Sequence, residues 1–290
     1  MHVASQSFIP ASRELVINWH VTEACNYRCR YCHAHWEEGT ESRELLHDEA
    51  ACRRLLEQLA AYFDPDNAYN VLRGVLQWSS LRLNLAGGEP LLYGSRILQI
   101  ARSARELGMK VSIITNGSLL TRDRVAELAA LISVLGVSVD TASGAVAREI
   151  GRVDRQGQVL LLPTLQQRLS FAREINPALE VKVNTVVNAL NHEEDMTRLI
   201  EAIAPQRWKV LRMLPSVTHD LAVTANEFEE FLRRHLGSGL PICAEDNGDM
   251  TQSYIMIDPQ GRFFQNTAGV PGYLYSPPIL EVGIEPAFSG

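Results

Sequence analysis

Hydrophobic and polar residues follow two alternating patterns along this 290-residue chain. Short apolar runs predict β-strands, and the amphipathic stretches between them have the 3.6-residue period of α-helices. This alternation is typical of βα units that build a parallel sheet. Strands are predicted near 14–21, 81–86, 110–115, 134–139, 180–187 and 207–213. Helices are predicted near 48–62, 95–107, 121–131, 164–174 and 192–203, the third capped by Thr121 and Asp123.

Six such units predict the α/β fold class and a partial (βα)6 barrel, because a closed eight-stranded barrel usually takes about 250 residues. Beyond the sixth strand the pattern predicts a helix near 226–236. Two short apolar runs follow, 254–257 and 262–264, and their connection Asp258-Pro259-Gln260-Gly261 predicts a hairpin-like turn. We therefore expect three parts: an N-terminal segment at 1–13, a partial barrel at 14–213 and a C-terminal extension at 214–290 that closes the barrel.

Composition and charge narrow the class of protein. With 46% hydrophobic residues and a net charge of −7, the chain resembles an ordinary soluble protein. It has no long apolar run and no signal-peptide pattern at its start, so we expect neither a membrane span nor secretion. Nucleic acid is not an expected partner, because binding its backbone needs a dominant basic surface. The odd number of cysteines, five, fits a reducing cytoplasm, and Cys52 and Cys243 are interpreted as buried thiols.

The other three cysteines, Cys25, Cys29 and Cys32, follow the first predicted strand with the spacing C-x3-C-x2-C. Three thiolates can bind three irons of a four-iron, four-sulfur cluster and leave the fourth iron open to a small chelating molecule. An open metal position is a site for chemistry. The alternative is a zinc site completed by His33 or His35, although zinc sites usually have a second cysteine pair far along the chain, and none is present.

Two further motifs end the second and third predicted strands, at the edge where barrel enzymes have their active sites. In Gly87-Gly88-Glu89-Pro90 the glycine pair lets backbone approach a ligand, and Thr115-Asn116-Gly117 follows the next strand. Either motif alone would fit a simple turn. Together with the cysteines they resemble the radical S-adenosylmethionine (SAM) superfamily. That resemblance implies cofactor contacts from Gly87, Gly88, Glu89, Thr115, Asn116 and Tyr31.

Polar residues recur on one face of four predicted strands. Successive strand residues point to opposite faces, so Lys182 and Asn184 share a face and their valine neighbours share the other. Since the apolar face packs against helices, the polar face lies inside the barrel, where a cation is costly unless it meets an anion. A single pair of polar residues would be better explained as a strand face that is exposed to solvent. The four pairs are Lys182 with Asn184, Arg207 with Lys209, Arg82 with Asn84, and Asn18 with His20. Their four cations would form a pocket for a polyphosphate.

Over most of its length, from about Val16 to Gly290, the sequence is similar to the viperins, a branch of the same superfamily with prokaryotic members. The segments that carry this similarity are NWHVTEACNYRCRYC at 18–32, LAGGEP at 85–90, VSIITNGSLL at 111–120, Ile150-Gly151-Arg152, residues 181–203, RWKV at 207–210, SYIMID at 253–258 and the closing ILEVGIEPAFSG. Several specific segments in one order make this a closer similarity than a shared cysteine motif.

The viperin resemblance implies an enzyme that converts a ribonucleoside triphosphate (CTP, UTP or GTP) into its 3′-deoxy-3′,4′-didehydro analogue, a chain terminator in antiviral defence. It implies a four-iron, four-sulfur cluster and SAM as cofactors, and a flavodoxin- or ferredoxin-type electron donor. It also points to Tyr254 as the proton donor, although a tyrosine packed in the tail would give the same pattern. The nucleotide-binding residues that it implies are Asn18, Arg82, Lys182, Asn184, Arg207 and Lys209.

The sequence departs from the viperins in four features. His33 stands where an aromatic residue usually follows the third cysteine, and Arg82 stands where animal relatives have lysine. The animal proteins' N-terminal amphipathic helix and longer tail are not found, so we expect a cytoplasmic protein whose tail was removed or whose site is closed otherwise. Two alternative functions stay open: another radical SAM enzyme, such as a peptide-modifying one, and a non-catalytic zinc- or nucleotide-binding module.

Overall fold

The structure is a computed structural model that describes residues 11–12, 14–34 and 44–289. Its strands are β1 (Ala11–Ser12), β2 (Leu15–His20), β3 (Gln77–Trp78), β4 (Leu81–Ala86), β5 (Lys110–Thr115), β6 (Val134–Ser138), β7 (Glu180–Val187), β8 (Arg207–Arg212), β9 (Ile242–Glu245), β10 (Ile255–Ile257), β11 (Phe263–Thr267) and β12 (Val270–Tyr275). Its helices are α1 (Glu49–Tyr62), α2 (Gly94–Glu106), α3 (Arg122–Ala129), α4 (Gly144–Ile150), α5 (Leu162–Ile175), α6 (Thr197–Ile203), α7 (Ala225–His235), α8 (Asn247–Met250), α9 (Ile279–Val282) and α10 (Ile284–Ser289). Short 3-10 helices cover Leu45–His47, Val71–Gly74 and Pro90–Tyr93.

One open sheet holds ten of these strands, in the order β12-β11-β10-β2-β4-β5-β6-β7-β8-β9. Every pair from β10 to β9 is parallel, and β11 is antiparallel to both of its neighbours. The short strands β1 and β3 pair separately. All six predicted strands are present, as β2 and β4 to β8, and the open order agrees with the predicted partial barrel.

The C-terminal part of the chain extends this sheet at both edges. The predicted hairpin-like pair is present as β10 and β11, with Met256 opposite Phe264. β10 also pairs in parallel with β2, where Met256 lies beside Asn18, and β9 pairs in parallel with β8. Neither β9 nor β12 was predicted, because β9 is only four residues long and β12 contains Pro271 and Gly272, which are unfavourable in strands.

The helices form where the sequence combines an apolar stripe with a cap. In α1 the buried residues include Leu55, Leu56 and Leu59, which share one face at helical spacing. The side chain of Thr121 accepts a hydrogen bond from the backbone of Arg124 and so caps α3, as predicted. None of the helices in the described part of the chain has the length and apolar character that a membrane crossing requires.

Alternation along β7 and β8 separates an apolar face from a polar one, as the sequence predicts. Val181, Val183 and Trp208 are fully buried, and the Trp208 indole donates to Thr185 Oγ1 at 2.9 Å. Lys182 lies on the opposite face and is only partly buried. The apolar face therefore packs under the helices and leaves the cations on the inner face of the sheet.

We expect Trp208→Ala to lower the free energy of unfolding by about 3–5 kcal/mol, because it leaves a large cavity and removes the hydrogen bond to Thr185. Tyr69→Ala is the matched control, since Tyr69 is 93% exposed and its loss should change stability by no more than about 0.5 kcal/mol. Chemical unfolding midpoints of the two variants give the comparison. Equal midpoints would show that Trp208 does not anchor the core.

Candidate active site at the carboxyl ends of the strands

The three clustered cysteines lie in residues 21–34, here called the cysteine loop, which leaves β2 at the carboxyl edge of the sheet. Backbone hydrogen bonds tie this loop to two neighbours. The amides of Gly88 and Glu89 donate to the carbonyls of Thr22 and Ala24, at 2.7 and 2.8 Å. On the other side, the amides of Arg28 and Arg30 donate to the carbonyls of Gly151 and Ile150, at 3.1 and 2.9 Å. The loop is thus fixed by main-chain contacts on both sides.

Glycine is required at the points where these backbones meet. A Cβ atom on Gly87 would lie 2.4 Å from the Thr22 carbonyl oxygen, and one on Gly88 would lie 2.2 Å from that of Ala24. Gly151 has a φ of +89°, and its Cβ would lie 2.2 Å from the Arg28 carbonyl oxygen. Sequence reasoning assigned the Gly87-Gly88 pair to the approach of a ligand. In the structure the space beside these glycines is taken by the cysteine loop, so their first role is to position that loop.

Cys25, Cys29 and Cys32 are free, partly exposed thiols that lie close enough to affect one another's charge. Burial raises the pKa of all three and brings that of Cys29 to about 12, while the nearby Arg152 guanidinium lowers each pKa. The thiols therefore hold their protons at neutral pH in the absence of metal. Binding iron would displace those protons, as metal binding to cysteine does in general.

The arrangement suits a cluster better than a single ion. A zinc ion needs its ligands to converge on one point, and among the described residues no three His, Cys, Asp or Glu side chains do so. In a cluster site each thiolate binds a different iron, so the three thiolates need not converge on one point. His33 lies beside Cys32, and its carbonyl accepts a hydrogen bond from Tyr273 at 2.9 Å. His35, the other predicted zinc ligand, lies outside the described residues.

A network of buried polar side chains, Tyr31, Asp140 and Arg152, supports the cysteine loop. The Tyr31 hydroxyl donates to the Asp140 carboxylate, and Arg152 Nη1 lies 3.1 Å from the same carboxylate oxygen. Arg152 also donates to the carbonyl of Ser138 at 2.6 Å. This network holds a buried positive charge beside the three thiols, where it favours an anionic cluster. Sequence reasoning missed Asp140, although its place after a predicted strand was a usable signal.

A cleft of about 350 Å³, part of it open to solvent, adjoins this network. It lies between the end of β6 and the starts of α4 and α5, and Asp140, Arg152 and Leu160 are among its lining residues.

Glu89 joins the ends of β4 and β5. Its side chain is fully buried and accepts hydrogen bonds from Thr115 Oγ1 and the Asn116 amide, each at 2.7 Å, and from the Leu91 amide at 3.0 Å. Burial raises the pKa of Glu89, and these three bonds oppose that shift. Asn116 Nδ2 donates to Asn26 in the cysteine loop at 2.9 Å. The predicted cofactor residues Glu89, Thr115 and Asn116 are therefore brought together beside the cysteines.

The polar inner face is continuous across β2, β4 and β5. Arg82 donates to Ser112 Oγ at 3.1 Å, Ser112 donates to Asn84 at 2.7 Å, and Asn84 donates to Asn18 at 2.9 Å. Arg82 also forms an ion pair with Glu14. Two members of this network, Ser112 and Glu14, were not predicted from the sequence as site residues. The predicted substrate residues Asn18 and Arg82 thus belong to one hydrogen-bonded network.

The other predicted substrate residues lie on β7 and β8. The parallel register places Lys182 beside Arg207 and Asn184 beside Lys209, so all four share the inner face. Burial lowers the pKa of Lys182 to about 8, and repulsion from Lys209, Arg82 and Arg207 adds to this shift. Asn184 Oδ1 is buried and has no hydrogen-bond partner among the described residues. A cluster of cations and an unsatisfied amide are suited to receive a ligand.

Lys209 is paired within the protein. Its ammonium lies 2.8 Å from Glu245 Oε1 and donates to the Tyr254 hydroxyl at 2.7 Å, and that hydroxyl donates to Glu245. Tyr254 therefore lies at the cation cluster, as its assignment as a proton donor requires. Glu245 was missed because it ends β9, a strand that was not predicted. Cys243, also on β9, is exposed, so its interpretation as a buried thiol was wrong, whereas Cys52 is buried.

Comparison with known proteins identifies the family. The model of the radical SAM superfamily matches residues 19–162. A Pseudoalteromonas ulvae protein named S-adenosylmethionine-dependent nucleotide dehydratase is 44% identical over 275 residues, 95% of this chain and 88% of that protein. A Psychrobacter lutiphocae protein of the same name is 42% identical, over 96% of this chain and 91% of the relative. The chain belongs to the S-adenosylmethionine-dependent nucleotide dehydratases. The family resemblance drawn from the sequence motifs is thereby confirmed.

Solved structures show the fold of this dehydratase family member to be that of radical SAM enzymes. The structure of anSMEcpe with bound AdoMet has a TM-score of 0.68 at 13% identity and covers 95% of this chain and 80% of its own. Streptococcus suis SuiB bound to precursor peptide SuiA has a TM-score of 0.59 at 16% identity, with coverage of 88% and 59%. Enzymes of this superfamily use a four-iron, four-sulfur cluster and SAM and need a reductant. The predicted cofactors are therefore confirmed.

We expect Gly88→Ala to prevent stable cluster binding, because the new Cβ would collide with the Ala24 carbonyl and displace the cysteine loop. Iron and sulfide should fall from about four of each per chain to less than half the wild-type content. Gly74→Ala is the control, since its Cβ meets no described atom within 4 Å. Full iron content in Gly88→Ala would show that the loop tolerates the displacement.

Proposed function

We propose that this protein removes water from the ribose of a ribonucleoside triphosphate and yields the 3′-deoxy-3′,4′-didehydro nucleotide. The observation that carries the proposal is the cluster of four cations, Arg82, Lys182, Arg207 and Lys209, on the inner face of the same sheet whose carboxyl edge holds the three thiols. A triphosphate bound to the cluster would direct its ribose toward that edge. The names of the two relatives support a nucleotide substrate. Such a product lacks the 3′-hydroxyl and would terminate RNA chains, which suits antiviral defence.

We assign the cluster to Cys25, Cys29 and Cys32. SAM would bind at the open iron, beside the predicted cofactor contacts Gly87, Gly88, Glu89, Thr115, Asn116 and Tyr31. When bound, the two cofactors supply the radical that removes a hydrogen atom from the ribose. In the structure Glu89 and Tyr31 direct their polar atoms to neighbouring protein groups. Their contribution is therefore to hold the strand ends and the cysteine loop in place around the cofactors.

The triphosphate would be held by Arg82, Lys182, Arg207 and Lys209. Charge-assisted hydrogen bonds from these cations orient the nucleotide, and guanidinium groups can bind phosphate oxygens in a bidentate manner. Asn184 and Asn18 supply neutral hydrogen-bonding groups on the same face. Holding the ribose at a fixed position is how such contacts contribute to rate.

Loss of water from the ribose radical consumes one proton and one electron. We propose that the Tyr254 hydroxyl donates the proton to the departing 3′-oxygen, because it lies at the cation cluster and already takes part in proton-sharing contacts with Lys209 and Glu245. The electron would come from a protein of the flavodoxin or ferredoxin type. Free thiols and a strong reductant both suit the cytoplasm, where we place the reaction.

A peptide substrate is the second candidate, because SuiB, a fold neighbour, was solved with a precursor peptide. That neighbour is 16% identical and shares only the fold. The cation cluster has no evident use for a peptide without multiple acidic groups. A nucleoside triphosphate explains both the cation cluster and its place on the inner face of the sheet whose carboxyl edge holds the thiols.

The deciding experiment is an anaerobic reaction of the iron-loaded protein with SAM, dithionite and each of the four ribonucleoside triphosphates. Mass spectrometry should show loss of one water from at least one nucleotide, in step with 5′-deoxyadenosine formation. Cys29→Ala should abolish both products. Lys209→Ala should raise the nucleotide KM and lower the yield of dehydrated product per SAM cleaved. SAM cleavage without loss of water from any of the four nucleotides would contradict the proposed function.

Nucleotide affinity should fall as the pH rises through about 8, because Lys182 loses its charge there in the free protein. Bound phosphate favours the protonated lysine, so binding is strongest below that pKa and should weaken by about tenfold between pH 7 and 9.5. Isothermal titration calorimetry without reductant measures this. Lys182→Met should bind more weakly but with little pH dependence. A wild-type affinity that is constant over this range would show that Lys182 does not bind the phosphate.

A further inference from the structure

Glu245, Lys209 and Tyr254 close a ring of contacts from three separate elements. Lys209 on β8 lies 2.8 Å from Glu245 at the end of β9, and it donates to the Tyr254 hydroxyl at 2.7 Å. Tyr254, which precedes β10, donates its own proton to the second oxygen of Glu245. Within this ring, therefore, Glu245 accepts the tyrosine proton in a hydrogen bond.

The position of Glu245 gives it access both to the inner face and to water. Parallel pairing places Lys209 beside Cys243 and Leu211 beside Glu245, so Glu245 shares the inner face with the cation cluster. Its side chain is 20% exposed, and β9 is the edge strand of the sheet. The charged and titratable groups that face it are Lys209, the Tyr254 hydroxyl and, at longer range, Lys182. A carboxylate in this position can exchange protons with solvent.

We infer that Glu245 is the positioning residue for Tyr254, which orients the tyrosine hydroxyl and returns a proton to it from solvent after each turnover. This inference rests on the proposed dehydration. Lys209 cannot perform this task when a triphosphate occupies the cluster, because its ammonium is then drawn to phosphate oxygens. Glu245 can, since a carboxyl group accepts a hydrogen bond when ionised and donates one when protonated.

The proton balance of the step is simple. Tyr254 gives its proton to the 3′-oxygen as the C3′–O bond breaks, and water leaves. The electron that completes the alkene comes from the external reductant of the proposed function. The ionised Glu245 carboxylate then takes a proton from solvent and passes it to the tyrosinate, so both side chains return to their starting protonation states. The hydrogen bond between them reverses while Glu245 holds the proton and then returns to its original direction.

Glu245→Gln tests this inference, because glutamine keeps the size and the hydrogen bonding but cannot carry the proton. With the triphosphate that gives the highest yield, the variant should form at least about tenfold less dehydrated product per 5′-deoxyadenosine than the wild type. Its nucleotide KM should stay equal or fall, since a competing anion has been removed from Lys209. Glu245→Asp should recover part of the yield. Cys243→Ser, on the same strand and face, is the matched control and should behave as the wild type.

The double variant Tyr254→Phe with Glu245→Gln separates a shared role from two independent ones. Its yield should equal that of Tyr254→Phe alone, because the carboxyl group acts only through the hydroxyl. Additive losses, or a Glu245→Gln variant with a raised KM and an unchanged yield per SAM cleaved, would overturn the inference and leave Glu245 as a counter-ion of Lys209. A wild type that dehydrates no nucleotide would overturn the proposed function and this inference with it. If Glu245→Gln loses its iron, Glu245→Met, which also lacks the carboxyl group, carries the same comparison.

Discussion

The close contact between the cysteine loop and the glycine pair at the end of β4 is the constraint on which the rest of the site depends. With Cβ positions only 2.2 and 2.4 Å from carbonyl oxygens, no other residue at Gly87 or Gly88 leaves the loop in place. The loop is long and would lose much entropy on ordering. Main-chain hydrogen bonds on both flanks offset that loss, and the Glu44 carboxylate adds bonds to Thr22 Oγ1 and the Glu23 amide. The backbone geometry of the cysteine loop therefore fixes where the three thiols lie.

The two sets of buried charge in the molecule differ in how they are compensated. Arg152 is buried but has Asp140 and the Ser138 carbonyl as partners, so its charge is stable in the protein alone. Lys182 has no such ion pair among the described residues, and burial, together with repulsion from neighbouring cations, lowers its pKa to about 8. A cation that burial separates from water is costly to the fold unless an anion compensates it. Arg152 therefore serves structure around the thiols, whereas the charge of Lys182 is one that an anionic ligand would compensate.

Local pattern predicted much of this molecule. The period of apolar residues located the six central strands, and alternation within them assigned Lys182 and Asn184 to the inner face. Prediction failed where long-range pairing decides the outcome. β9 is four residues long and is stabilised by its place beside β8, so Glu245 could not be assigned to the site. Sequence likewise identified the glycine pair as special but could not show that the cysteine loop packs against it.

The strand length itself links the two halves of the site. Lys182 lies near the start of β7 and Val187 lies at its end. At a rise of about 3.3 Å per residue, about 16 Å separates Lys182 from the carboxyl edge of the sheet. A substrate that meets both ends must be elongated and anionic at one end only, as an extended nucleoside triphosphate is. Lys209 and Glu245 lie one and two layers above Lys182 along the same face. In the proposed binding mode, the register of β7, β8 and β9 therefore sets the place where phosphate contacts give way to ribose chemistry.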